Sequence, residues 1–220
     1  MHTVKPELSL WDPNSNNLLG WWEEFWASRT EPYGPPSTSL IAIIESEVKR
    51  LLPREIYAVD IASGNGRYAI PLAKLGCDVT AVEWAESGAS TIRNGAEANN
   101  ITIRIEQSDY TKVCHDKRDF HIVVCSGLLE EIDSAHHPTV VEGFANWTRP
   151  GGLAIIKYCL ELEGRGTLVE DESVEHMLRK HGMEILTADE RRAIKTSAAT
   201  KIGSRTGTVI ARRSRIGGEV

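Results

Sequence analysis

The chain has 220 residues, 41% of them hydrophobic, and a formal charge of −6. That length supports one α/β domain with a full core and excludes two large domains, while the acidic balance argues against a generally basic surface for nucleic acid. Cys77, Cys114, Cys125 and Cys159 stand far apart, with no C-x-x-C pair and no histidines at zinc spacing, so neither a metal site nor a disulfide framework is expected. No stretch approaches the roughly 18 consecutive apolar residues of a membrane span. The start, MHTVKPELSLWDP, has no apolar core of the signal-peptide kind, and the expected location is the cytoplasm.

The first fifty residues are rich in aromatic side chains: Trp11, Trp21, Trp22, Trp26 and Tyr33 precede the turn-forming run GPPSTS. Trp22 and Trp26 are four apart and share a helix face, with Trp21 and Phe25 beside them. Such a face either packs on the sheet or closes over a substrate. An amphipathic helix is expected over Leu40–Leu52. Residues 1–52 read as a helical, aromatic-rich lid or cap, and residues 53–220 as one compact ligand-binding unit.

From Ile56 onward short β-rich runs alternate with helical stretches. Strands are expected near Ile56–Ile61, Asp78–Glu83, Ile101–Gln107, Phe120–Cys125 and Leu153–Tyr158. A helix from Ser173 to His181 ends at Gly182. Two further short strands, Met183–Thr187 and Thr206–Ala211, suit an antiparallel final pair. The fold class is therefore α/β: a Rossmann-like, mostly parallel seven-stranded sheet with helices on both faces and an antiparallel C-terminal strand.

The first strand runs into Asp60 and breaks at a glycine turn, IYAVDIASGNGRYAIPLAKLG. Glycines there let the backbone approach a ligand closely, and the helix that follows points free N–H groups at it. Gly64-Asn65-Gly66-Arg67-Tyr68-Ala69 satisfies the G-x-G-x-x-G/A pattern of dinucleotide folds, which by itself leaves NAD or FAD open. No Tyr-x-x-x-Lys pair and no second substrate domain support a dehydrogenase.

The ordered combination of Asp60-x-Ala62-x-Gly64-x-Gly66, an acid ending the next strand, an acid after the third and Arg149-Pro150-Gly151-Gly152 opening the fifth resembles the class I S-adenosylmethionine-dependent methyltransferases. The resemblance covers about Ile56 to Tyr158. It implies S-adenosyl-L-methionine as cofactor, held by the loop Asp60, Ala62, Ser63, Gly64 and Gly66. It also implies that Glu83 grips the ribose hydroxyls with Trp84 against the adenine, and that Asp109, with Tyr110 adjacent, meets the adenine amino group. Cys125 and Ser126 would line the cofactor and face the substrate. Ala62 stands where the family has its first glycine, and its methyl is tolerated there if its φ is negative, whereas otherwise it shifts the loop and weakens binding.

W-E-E-F-W…P-Y-G-P-P and G-R-Y-A-I-P-L-A are loosely similar to the tellurite-resistance and thiopurine S-methyltransferase group, which implies a small nucleophile as substrate. Trp21, Trp22, Trp26, Tyr33 and Ser126 are the expected substrate contacts. His136, His137 and Glu130, with Glu131 beside it, are the candidate bases for an N or O acceptor, whereas a thiolate needs none; their bland reading is a solvated polar loop. Two rivals remain: a methyltransferase acting on RNA or protein, suggested by Arg191, Arg192, Lys195, Lys201, Arg205, Arg212, Arg213 and Arg215, and a non-catalytic sensor of the cofactor. Charges flanking a strand also serve solubility or protect an edge.

Overall fold

Runs such as Ala58-Val59, Val123-Val124-Cys125 and Ile155-Ile156 are apolar on both faces, which suits strands covered by helices on each side. The computed structural model describes residues 18–28, 34–114, 118–163, 166–170, 173–196 and 201–215. Among these, the strands are β1 (Tyr57–Ile61), β2 (Asp78–Glu83), β3 (Arg104–Gln107), β4 (Phe120–Ser126), β5 (Thr148–Leu162), β6 (Gly166–Thr167), β7 (Met183–Thr196) and β8 (Lys201–Arg213). The helices are α1 (Leu18–Ala27), α2 (Thr38–Leu51), α3 (Ala69–Lys74), α4 (Glu86–Ala98), α5 (Tyr110–Val113), α6 (His137–Trp147) and α7 (Ser173–Lys180).

Seven strands lie in the order β3-β2-β1-β4-β5-β8-β7, and the two-residue β6 pairs with β5. The first five are mutually parallel, and β8 runs antiparallel to both β5 and β7. From β1 the chain winds outward through β2 and β3, then returns to β4 on the other side. The reversal point lies between β1 and β4, where open α/β sheets open a crevice at the strand carboxyl ends.

Alternate residues of each strand serve opposite faces. Val59, Val123, Cys125, Ala154 and Ile156 join Tyr110, Phe144, Trp147, Val174 and Leu178 on the side of α5, α6 and α7. Ala58, Ile122, Val124, Leu153 and Ile155 join Leu40, Ile44, Val48, Leu72 and Ile92 on the side of α2, α3 and α4. A third, small cluster of Phe25, Trp26 and Ala85 ties α1 to the start of α4.

The C-terminal strands correct the expected boundaries. In place of two short strands, β7 and β8 form one long hairpin, paired from Met183↔Arg213 to Thr196↔Lys201. The half of β7 beyond Ala188 has no hydrophobic alternation, but β8 already pairs with β5 as far as Leu162↔Ser204 and offers its other edge to β7. Backbone pairing extended this strand where side-chain pattern was silent. The Arg149-Pro150-Gly151-Gly152 segment lies inside β5, with Gly151 at φ 79°.

Candidate active site

The glycine bend leaves β1 through three residues in the left-handed region: Ala62 at φ 53°, Gly64 at 58° and Gly66 at 76°. The condition of a negative φ at Ala62 is therefore not met. Its Cβ carries the steric cost that a glycine would avoid, about 1–2 kcal/mol, and the surrounding bonds hold it there. Ser63 N–H donates to the Val82 carbonyl (3.0 Å) and Gly66 N–H to the Ser63 carbonyl (2.9 Å).

Two carboxylates at neighbouring strand ends bind this bend. Asp60 Oδ2 accepts from Ser63 Oγ (2.7 Å) and from Ala69 N–H (2.9 Å), at the first residue of α3. Burial pushes Asp60 up to about 7, against the pull of those two bonds and of the Arg67 charge. Glu83 Oε2 accepts from Gly64 N–H (2.6 Å) and Oε1 from Ala85 N–H (2.9 Å). Burial raises Glu83 as well, opposed by the backbone N–H groups of Ala85, Gly64 and Trp84.

The third acid takes a different task. Asp109 caps α5, its Oδ1 accepting from Thr111 N–H (3.0 Å) and Thr111 Oγ1 (2.7 Å). Its backbone stays close to Glu83, because Ser108 N–H donates to the Glu83 carbonyl (3.1 Å). Tyr110 does not face the crevice: it is buried, stacked on Phe144 with centroids 5.5 Å apart and edge-on to Trp147 at 5.0 Å. An aromatic opening a short helix over a sheet buries its ring when an apolar helix such as α6 covers it. Cys125 likewise points into that core, leaving Ser126 as the partly exposed residue at the end of β4. Trp84 is half-buried beside Glu83.

The candidate bases separate. His137 is buried, with Nε2 2.8 Å from the Leu129 carbonyl, so its ring closes a turn inside the core and is unavailable as a base. His136 is exposed at the entry to α6. Glu130 lies beside Gly127, just beyond β4: its Oε1 falls 3.7 Å from the place a Cβ on that glycine would take. Tyr33 lies outside the described residues.

Sequence reasoning missed three residues. Arg67 Nη2 donates to Ser126 Oγ (3.0 Å) and its guanidinium lies 5.2 Å from the centre of the Tyr68 ring. Tyr68 is itself buried, placing an Arg-Tyr-Ser group at the ends of β1 and β4. The signal was present in G-R-Y, directly after the bend. Glu23 is the third: Oε1 accepts from Glu86 N–H (2.6 Å) and Oε2 from Ser87 N–H (2.9 Å), so an acid of α1 caps α4. No local pattern announces a cap supplied from 63 residues away.

Trp21, Trp22, Phe25 and Trp26 pack on one another along α1. Trp21 stacks on Phe25 (5.0 Å) and Trp22 on Trp26 (6.0 Å). Trp26 lies across the bend: a Cβ built on Gly64 would fall 2.5 Å from its Cη2. The bend is thus a cradle that accepts a flat ring against bare glycine, next to a carboxylate able to accept hydroxyl donors. These residues fit the adenosine part of S-adenosylmethionine.

Residues 58–152 match a protein family described as "Methyltransferase domain". Over that stretch the chain is similar to methyltransferase domains. The curated relatives include the ubiquinone biosynthesis O-methyltransferase of Rickettsia akari (strain Hartford), 30% identical over 98 residues, 44% of this chain and 38% of that protein. The chain thus spans well under half the length of that relative. Among solved structures, TehB from Haemophilus influenzae superposes with a TM-score of 0.67 at 17% identity, covering 88% of this chain and 67% of that one. Magnesium protoporphyrin IX methyltransferase (ChlM) from Synechocystis PCC 6803, solved with bound SAM, gives 0.64 at 14% identity, covering 91% and 99%. At such identities the two structures establish the fold. A methyltransferase domain of this kind takes S-adenosylmethionine as its cofactor, and ChlM was solved with it bound.

Proposed function

We propose that this protein transfers a methyl group from S-adenosylmethionine to a nucleophilic N, O or S atom of a small molecule. The observation that carries the reading is the pairing of Glu83 with the Gly64 bend, a carboxylate and a bare backbone cradle at the switch point of a class I sheet. The methyltransferase relatives, with a small-molecule activity in their printed name, support it.

The cofactor supplies a methyl group already activated on a sulfonium, which leaves alignment and exclusion of water to the protein. Glu83 accepts the ribose hydroxyl donors, and the N–H groups of the bend fix the chain beneath. Ser126, held by Arg67, presents a hydroxyl on the acceptor side of β4. Glu130, beside Gly127 just beyond β4, is the candidate to take a proton from an amine or hydroxyl acceptor.

A macromolecular acceptor is less well supported. Arg212 reaches Glu47 and the Gly151 carbonyl, and Arg213 the carbonyls of Ala145 and Thr148, so these two cations of the basic tail are committed within the fold. Calorimetry with S-adenosylhomocysteine, followed by transfer of labelled methyl to small thiols, phenols and amines and to bulk RNA and protein, tests the proposal. Binding with transfer to a small acceptor is the expected result. Absence of binding, or transfer to macromolecules alone, refutes it.

A further inference from the structure

We propose that α1 is a latch that closes the cofactor groove with the protein's own tryptophan: Trp26 lies on Gly64, across the bend that the cofactor must reach, and cofactor enters only when α1 lifts from α4. This rests on the S-adenosylmethionine reading above and adds a conformational step to it.

The seat of Trp26 is the first ground. Where a Cβ on Gly66 would meet Ile70 and Ile92, neighbours belonging to the sheet-covering helices, the three atoms nearest to a Cβ on Gly64 all belong to the Trp26 ring. The ring is 7% exposed and Glu83 6%. Both Glu83 oxygens are turned onto backbone N–H groups of the chain itself. A carboxylate meant to accept two hydroxyl donors is here covered and internally occupied.

The attachment of α1 is the second ground. Only Phe25 and Trp26 of its ten residues are buried. Trp21 and Trp22 pack, partly buried, against that pair, and the polar hold of the helix is Glu23 on the N–H groups of Glu86 and Ser87, with Ser87 Oγ donating to the Glu23 carbonyl (2.9 Å). The Glu86 bond is exposed and the two Ser87 bonds only partly buried, so water replaces them at modest cost when the helix lifts. A helix with few buried contacts belongs to the low-stability end of a fold, from which moving elements are drawn. The same three bonds sit at the start of α4, directly after the Glu83 strand, so release of Glu23 and uncovering of Glu83 are one motion.

An affinity divided by the fraction of open protein is what such a latch produces. Glu23→Ala removes both caps and leaves every ring in place, and Trp26→Ala removes the plug. Binding of S-adenosylhomocysteine by calorimetry, with thermal unfolding as a check on folding, is to be compared across the three proteins. Hydrogen exchange of the Leu18–Ala27 amides is followed with and without ligand. Glu23→Ala is expected to bind about tenfold tighter, for a latch about 90% closed, and wild-type α1 amides to lose protection when ligand is added. Unchanged or weaker binding by Glu23→Ala, with α1 equally protected in the complex, overturns the latch while leaving the cofactor assignment standing. Failure of all three folded proteins to bind overturns the cofactor assignment and the latch with it.

Discussion

Protonating Glu47 unfastens three elements at once, which makes acid the sharpest probe of this fold. Glu47, on α2, is 4% exposed and receives two bidentate guanidinium groups. Arg50 donates at 2.9 and 2.6 Å, and Arg212 of β8 at 2.9 and 3.0 Å. Arg212 also donates to the Gly151 carbonyl (2.8 Å), drawing the Pro150-Gly151 segment into the same knot. Burial alone would raise this carboxyl. The four bonds and two charges overcome it and hold Glu47 at about 2 against an ordinary 4.5.

The unfolded chain takes up the proton near 4.5, the folded one only near 2. The stabilisation is therefore complete above about pH 5 and is lost as the pH falls through the folded value. At 1.36 kcal/mol per pH unit, that interval is worth about 3 kcal/mol. Urea unfolding of wild type and Glu47→Gln at steps from pH 7 to pH 3 measures it. Glu47→Gln should be about 3 kcal/mol less stable at pH 7, because the Arg50 and Arg212 guanidinium groups lose their buried counter-charge, and the two curves should converge on acidification. An acid limb of the same slope in both proteins would refute the reasoning.

The remaining predictions concern the crevice and the core. Glu83→Gln should weaken S-adenosylhomocysteine binding by about 10- to 100-fold, the range of one charge-assisted hydrogen bond, read by calorimetry on protein whose far-ultraviolet spectrum is unchanged. Ala62→Gly should relieve the left-handed alanine and, after the added freedom of the unfolded glycine, raise stability by about 0.5 kcal/mol; a lower unfolding midpoint would contradict the φ of 53°. Gly143→Ala on α6 would place a Cβ 2.6 Å from Cys114 Cβ and from Tyr110 Oη, and 2.9 Å from the Cys114 carbonyl. That overpacking should cost about 1–3 kcal/mol, seen as a lowered midpoint in thermal unfolding.

Local chemistry along the chain was enough for the sheet and its bend. Apolar runs such as Val79–Val82 and Ile122–Cys125 carry their own instruction, since only a strand covered on both faces buries them. The Asp60 turn, with its glycines and the following helix, is a short-range motif, and so is the acid that ends β2. Asp109 shows the limit of that kind of reading: one carboxylate after a strand serves equally as a ligand and as a helix cap, and the structure gives it the cap. Tyr110 and His137 read as polar-edged candidates, yet their surroundings are decided by α6 and by the Leu129 carbonyl, which lie elsewhere in the fold.

Contacts between distant segments stayed invisible for a physical reason: a side chain's partner depends on packing geometry that no single window contains. Glu47 and Arg212 meet across 165 positions. The outer half of β7 became a strand because β8 had a free edge to offer, whatever its own residues preferred. The aromatic cluster of α1 was readable as a face of one helix, but whether that face would lie on the sheet, on solvent or on the glycine bend depended on where α4 begins and on Glu23 finding its N–H groups. It came to rest on Gly64, where the absence of a side chain leaves room for a ring.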